Sequence, residues 1–131
     1  MIIDTSAIVA VLLDEPESGP FREWIAANTV KLSAGTYIET GIVIDRLRLP
    51  GATRLFDRFL HDAGITLEPV TKDQAMIARA AYRDYGKGSG HKAQLNFGDC
   101  FSYALATDLR EPLLFKGNDF IHTDVVPATR V

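Results

Sequence analysis

Short apolar runs and helix-patterned stretches take turns along this chain, and that alternation limits the fold more than any other feature. Runs of strand character fall at residues 1–4, 30–33, 65–70 and 113–115. Between them, apolar residues recur at helical spacing over 5–13, 17–28 (Phe21, Trp24, Ile25), 34–49 (Tyr37, Ile38, Ile42, Ile44, Leu47), 52–62 (Leu55, Phe56, Phe59, Leu60), 72–85 (Met76, Ile77, Ala80, Ala81) and 97–109. The punctuation agrees. Pro16, Pro50 with Gly51, and Gly64 stop helices, while Thr5 or Ser6, Thr71 and Asn96 stand where N-caps are needed. Residues 86–90, with three glycines in five, read as a flexible loop, and Val125 with Val126 as a short edge strand. Strands separated by helices predict a single α/β domain, 1–131, with a parallel sheet flanked by helices. In such sheets the active site lies at the carboxyl ends of the strands.

Composition removes several classes of function. The 131 residues, 47% of them hydrophobic, suffice for one real core, and a net charge of −3 fits neither a disordered chain nor a protein that grips nucleic acid through overall positive charge. Cys100 is the one cysteine, and it shares no ligand spacing with His61, His91 or His122, so neither a disulfide nor a zinc site is expected. It reads as a packed thiol, and the histidines, His91 set apart, as surface residues. Asp4 interrupts the apolar start, no basic region precedes it, and the run 7–13 stops at Asp14. A cytoplasmic protein with no signal peptide and no membrane span is the expectation.

The rule of the strand ends turns acids into candidates. Asp4 ends the first run and Asp119 follows the last by a few residues; Glu39 comes early in the helix after the second run, and Asp99 lies in the first turn of helix 97–109. A first-turn carboxylate has an ordinary role, favourable interaction with the helix dipole worth roughly 0.3–1 kcal/mol, and Asp99 alone could be explained so. Four acids brought to one crevice repel each other unless a cation neutralises them. Oxygen ligands suit hard Mg²⁺ or Mn²⁺, and the chemistry such a site serves best is hydrolysis of a phosphodiester with water as nucleophile.

Four segments carry a family resemblance: Met-Ile-Ile-Asp4-Thr5-Ser6-Ala7, Ser33-Ala-Gly-Thr-Tyr-Ile-Glu39-Thr, Leu95-Asn-Phe-Gly-Asp99-Cys-Phe-Ser-Tyr-Ala-Leu-Ala106 and Leu113-Leu-Phe-Lys-Gly-Asn-Asp119-Phe. In order and interval, over nearly the whole chain, they resemble PIN-domain ribonucleases, specifically the VapC toxins of type II toxin–antitoxin pairs. The resemblance implies a Rossmann-like PIN fold, a Mg²⁺-dependent endoribonuclease, a homodimer, and a VapB-type antitoxin that blocks the site. It puts Asp4, Glu39 and Asp99 on the family's three core acids, with metal on Asp4 and Asp99, and Thr5 or Ser6 on the small polar position beside the first. Asp119 falls on the fourth acid. Gly117 stands where many PIN domains carry a further Asp.

Charge is unevenly spread. Residues 1–39 hold six acids against Arg22 and Lys31, whereas 79–92 hold Arg79, Arg83, Lys87 and Lys92 against Asp84, with Tyr82, Tyr85 and His91 interleaved. An acidic centre with a basic margin suits a metal nuclease, and the four cations are the candidate RNA contacts. A solvated helix end and loop is the plain alternative. The glycines of 86–90 do not match a phosphate-binding Gly-x-x-x-x-Gly-Lys-[Ser/Thr] loop. Two other enzyme or signalling classes fit less well. A phospho-acceptor domain shares the length, the acid after the first strand and Lys116, but needs an Asp ending the central strand, where 65–69 offers only Glu68; a haloacid-dehalogenase-like phosphatase needs an Asp where Ser6 stands. A non-catalytic PIN-like binding module is separated from these only by an activity measurement.

Overall fold

The computed structural model describes residues 1–130. Strand β1 (Ile2–Ile3) leads through α1 (Thr5–Leu12) and α2 (Ser18–Ala27) to β2 (Lys31–Ser33). Helices α3 (Ala34–Arg46) and α4 (Ala52–Asp62) lead on to β3 (Thr66–Glu68), and α5 (Lys72–Tyr85) and α6 (Asp99–Leu109) to β4 (Leu113–Leu114). Two 3₁₀ turns, Phe120–His122 and Ala128–Arg130, follow. All four strands are parallel in the order β3-β2-β1-β4, with Ile2 opposite both Lys31 and Leu113, and Leu32 opposite Leu67. The expected α/β plan with a parallel, helix-flanked sheet is the observed one.

Because strand side chains alternate, neighbouring residues serve opposite faces. Ile3 and Leu114 join Ile8, Val11, Phe21, Ile25, Ile44, Phe56 and Leu60 in a core under α1 to α4, whereas Ile2 and Leu113 join Ala81, Leu95, Cys100, Tyr103 and Leu105 under α5 and α6. The four strand residues are fully buried, each contributing roughly 1.5–3 kcal/mol of hydrophobic stabilisation. The chain thus covers one face on its way from β1 to β3 and the other on its return to β4. That reversal beside β1 makes a topological switch point, and the crevice beyond the carboxyl ends of β1 and β4 is the place such folds use for ligands.

Several boundaries differ from the sequence expectation, each for a local reason. The N-cap of α1 is Asp4, whose carboxylate accepts from the Ser6 amide, so the hydroxyls of Thr5 and Ser6 are left for other partners. Helix α6 begins at Asp99 instead of Phe97: Asn96 Oδ1 accepts from the Asp99 amide (2.8 Å) and Asp99 Oδ2 from the Asn96 amide (3.0 Å), a reciprocal capping pair that occupies the preceding turn. Thr71 caps α5 as expected, accepting from the Gln74 amide. Helix α3 stops at Arg46, and two residues on, ahead of Pro50, Arg48 turns into the left-handed region (φ 53°), which no helix continues through. The 86–90 loop is pinned by a bridge between Gly86 and Leu95. Val125 and Val126 do not form a strand; pairing there is a single bridge between Leu113 and Pro127, and proline, lacking an N–H, cannot extend a ladder.

Candidate active site

Asp4 leaves β1 at the switch point with 2% of its surface exposed. A buried carboxylate has to be hydrogen-bonded, and both its oxygens are. Oδ2 accepts from the Ser6 amide (3.0 Å) and hydroxyl (2.8 Å), and Oδ1 accepts from the Ser102 hydroxyl (2.6 Å). Ser6 Oγ in turn accepts from the amide of Lys116 at 3.0 Å, which ties the exit of β4 to the same carboxylate. The Lys116 ammonium pairs with Glu15 and Glu17, away from the acids, so it does not play the part a phospho-acceptor domain gives its lysine.

Glu39 is carried to the crevice by α3. Its Oε1 lies 2.6 Å from Thr5 Oγ1, which also touches Thr40 Oγ1 at 2.8 Å, while Thr40 bonds the Thr36 carbonyl at 2.8 Å. Its Oε2 rests on Gly98, where a Cβ would stand 1.4 Å from it. Burial pushes the Glu39 carboxyl above its ordinary range; the Thr5 hydroxyl works against this and the Asp4 charge adds to it. A count of protons points the same way. The two threonine hydroxyls supply two protons for three contacts if Glu39 is ionised, whereas a proton on Glu39 would serve all three.

Asp99, at the head of α6, is the most perturbed acid. Burial is the main cause; the backbone hydrogen bond from Asn96 opposes it, and the charges of Asp4, Asp119 and Glu39 reinforce it, so that its pKa is pushed up to about 7. Asp4, Glu39 and Asp99, expected from three distant parts of the sequence to share a site, are therefore within electrostatic reach of one another. Asp119 is exposed on the loop before Phe120–His122 but close enough for its charge to be felt at Asp99. Among the described residues, no three His, Cys, Asp or Glu side chains close around a cation unaided. A hard divalent ion here would need water or substrate oxygens to complete a shell begun by one or two carboxylates. The donors present, carboxylate and hydroxyl oxygens only, suit such a hard ion.

The basic margin is more scattered. Arg79 lines an apolar groove with Tyr82, Phe97, Cys100 and Phe101, next to the Asp99 end of α6. Arg83 pairs with its neighbour Asp84 at 2.9 Å, and Lys87 and Lys92 are exposed on the loop after α5. Cys100 is buried, with its thiol pushed up to about 11 by burial and by Asp99, which makes it the packed, unreactive group expected. His61 is exposed, and His91 stands edge-on to Tyr85. The sequence reading missed Ser102, Thr36 and Thr40. Ser102 follows Asp99 by three residues, and that spacing on a helix puts two side chains on one face, a usable signal.

Comparison with known proteins settles the family. Residues 1–126 match the PIN domain family model. Over 129 residues, the chain is 56% identical to VapC ribonuclease Mb0625 of Mycobacterium bovis and to ribonuclease VapC28 of Mycobacterium tuberculosis, covering 98% of this chain and 97% of each relative. The chain belongs to the VapC ribonucleases of the PIN-domain family. Another VapC, ribonuclease VapC30 of M. tuberculosis, is 53% identical over 127 residues, 95% of each chain. The VapC fold is seen directly in the crystal structure of M. tuberculosis VapC20, a sarcin–ricin-loop-cleaving toxin, which superposes with a TM-score of 0.73 at 19% identity over 95% of both chains. A toxin–antitoxin complex from Klebsiella pneumoniae superposes with a TM-score of 0.65 at 17% identity, over 91% of this chain and 88% of that one.

Proposed function

We propose that this VapC-family chain is the toxin of a type II toxin–antitoxin pair, acting in the cytoplasm as a Mg²⁺-dependent endoribonuclease, with Mn²⁺ able to substitute. The observation that carries the reading is the convergence of Asp4, Glu39 and Asp99 at the switch point, with Asp99 lifted to about 7 by burial and by its acidic neighbours. Asp4 and Asp99 would hold the ion, with Glu39 and Asp119 beside it. Bound there, a divalent ion supplies Lewis acidity toward the scissile phosphate and a readily deprotonated water. The chain's own residues do the rest. Ser6 and Ser102 hold Asp4 in one orientation, the Asn96 amide holds Asp99, and Glu39, its affinity for a proton raised, is suited in its ionised form to accept one at Oε2. Arg79, Arg83, Lys87 and Lys92 would meet RNA phosphates.

Two surfaces support partners of the expected kinds. A groove of about 530 Å³ lies between α2 and α4, with Leu12, Ile25, Leu55 and Phe59 in its walls and Arg22 and Asp62 among its polar groups. It suits the apolar face of an antitoxin segment, whose arginine could then enter the acidic crevice. On the other side, Ile38, Ile42, Met76, Tyr82 and Phe97 are exposed, Phe97 by 73%. So many large apolar side chains left open on α3, α5 and the turn before α6 favour a second copy of the chain as their cover. No helix among the described residues is long and apolar enough to cross a membrane.

The test is RNA cleavage by purified protein with Mg²⁺ or Mn²⁺ against a chelator control. Asp4→Asn and Asp99→Asn should each lower cleavage by orders of magnitude with folding intact, and Asp119→Asn by less than either. Undiminished cleavage in both of the first two variants would overturn the site.

A further inference from the structure

Ser102 is fully buried in the middle of α6, and its hydroxyl bridges two groups from other elements: Asp4 Oδ1 at 2.6 Å and Thr36 Oγ1, on α3, at 3.1 Å. Thr36 is also fully buried. A carboxylate can only accept, so the single proton of Ser102 goes to Asp4, and the Thr36 hydroxyl is then the donor in the second contact. The direction of the Ser102 proton is dictated from both sides. On Asp4, an ionised carboxylate offers about four lone-pair positions. The Ser6 amide and hydroxyl take two on Oδ2, and Ser102 takes one on Oδ1. The fourth, on Oδ1, is the one left for a cation.

We propose that Ser102 is a positioning residue of the acid centre: its hydroxyl, steered by Thr36, fixes the torsion of Asp4 so that the free lone pair of Oδ1 is aimed at the divalent ion. The inference rests on the metal site proposed above. It adds a residue outside the acids, and it predicts that α3 contributes to metal affinity through Thr36 as well as through Glu39. Groups that orient a metal ligand from behind typically change metal affinity or activity by 10–100-fold when removed.

The probe is Mn²⁺ binding to the full-length protein, followed by calorimetry and by the loss of the free-ion spectroscopic signal, with thermal melts and RNA cleavage in parallel. Ser102→Ala keeps a residue of similar size in the helix but leaves Oδ1 short of its donor. Its Mn²⁺ dissociation constant should rise about 10–100-fold, its cleavage should shift to correspondingly higher Mn²⁺, and Ser102→Thr, which restores the hydroxyl, should recover most of the loss. Thr36→Val removes the steering donor and is the second route should Ser102→Ala fail to fold; about a two- to tenfold loss is expected, the worth of one ordinary hydrogen bond. Wild-type affinity in both Ser102→Ala and Thr36→Val overturns the role of Ser102 while leaving the metal site standing. Absence of Mn²⁺ binding by the unmodified protein at millimolar concentration overturns the metal site, and the proposal with it.

Discussion

Asp99 shows at a single residue what burying an acid among other acids costs in stability. An acid whose pKa is higher in the folded than in the unfolded chain binds its proton more tightly when folded, so its contribution to stability is present in full below the unfolded value of about 3.9 and is lost as pH rises to the folded value. For Asp99 that folded value is about 7, and the whole loss is on the order of 4 kcal/mol. Glu39, shifted in the same direction, adds to it. Metal-free protein should therefore melt at progressively lower temperature from pH 5 to pH 7.5, and Asp99→Asn should flatten that slope and melt higher than wild type at pH 7.5. Melts in chelator across this range decide the matter; a wild-type curve that rises with pH would contradict the burial argument. Gly98 offers a second residue-scale test. Its backbone is helical (φ −64°), so alanine fits it without strain, but the added Cβ would stand 1.4 Å from Glu39 Oε2. Gly98→Ala should shift the melt by no more than a few degrees, displace Glu39 from Thr5, and lower cleavage about as far as Glu39→Gln does. That Asp4, Glu39 and Asp99 come together was legible in the sequence, because strand ends and helix starts are legible; Asp119 stands exposed on its loop and reaches Asp99 only through its charge. The spacing of Ser102 from Asp99 hinted at a shared face, but its bonds to Asp4 and Thr36 were not legible: a hydroxyl's partner in another element follows from packing, which periodicity does not encode.

Elements were legible in kind, and their edges were set by interactions that sequence patterns underrate. The capping pair of Asn96 and Asp99 delays α6 by two residues, and the same pair orients the Asp99 carboxylate, so one local device both ends a loop and shapes the candidate site. Helix α4 illustrates the limit of apolar spacing. Leu55, Phe56, Phe59 and Leu60 read as one face, yet at about 100° per residue neighbouring positions must diverge. Phe56 and Leu60 are buried, while Leu55 is 47% exposed at the α2–α4 groove. Leu55→Glu should thus cost the isolated protein little stability and leave RNA cleavage intact, but weaken capture of the proposed antitoxin by tenfold or more. Co-purification and titration of the pair measure this, and unchanged affinity would move the antitoxin off the groove.

At the scale of the whole molecule, a net charge of −3 looks adverse for an enzyme acting on a polyanion, and the distribution of that charge removes the difficulty. Asp4, Glu39 and Asp99 are gathered at the end of the sheet, where the proposed divalent ion would offset them, and their field is screened beyond roughly 8 Å at physiological salt. Cations on α5 and the loop after it can then act locally. They are not equivalent: Arg83 is held by Asp84, which lowers its availability, whereas Lys87 and Lys92 stand exposed. If each lysine meets one phosphate of single-stranded RNA, it contributes about 0.7 to the slope of log K against log salt. Replacing both with alanine should weaken RNA binding chiefly at low salt and flatten that slope by about 1.4, while Mn²⁺ affinity at the carboxylates stays as it was. Arg83→Ala alone should flatten it by less than 0.7, because the freed Asp84 charge opposes any phosphate nearby. An unchanged slope in the double lysine variant would return residues 86–92 to an ordinary solvated loop and leave Arg79, beside Phe97 and the head of α6, as the cation to test next.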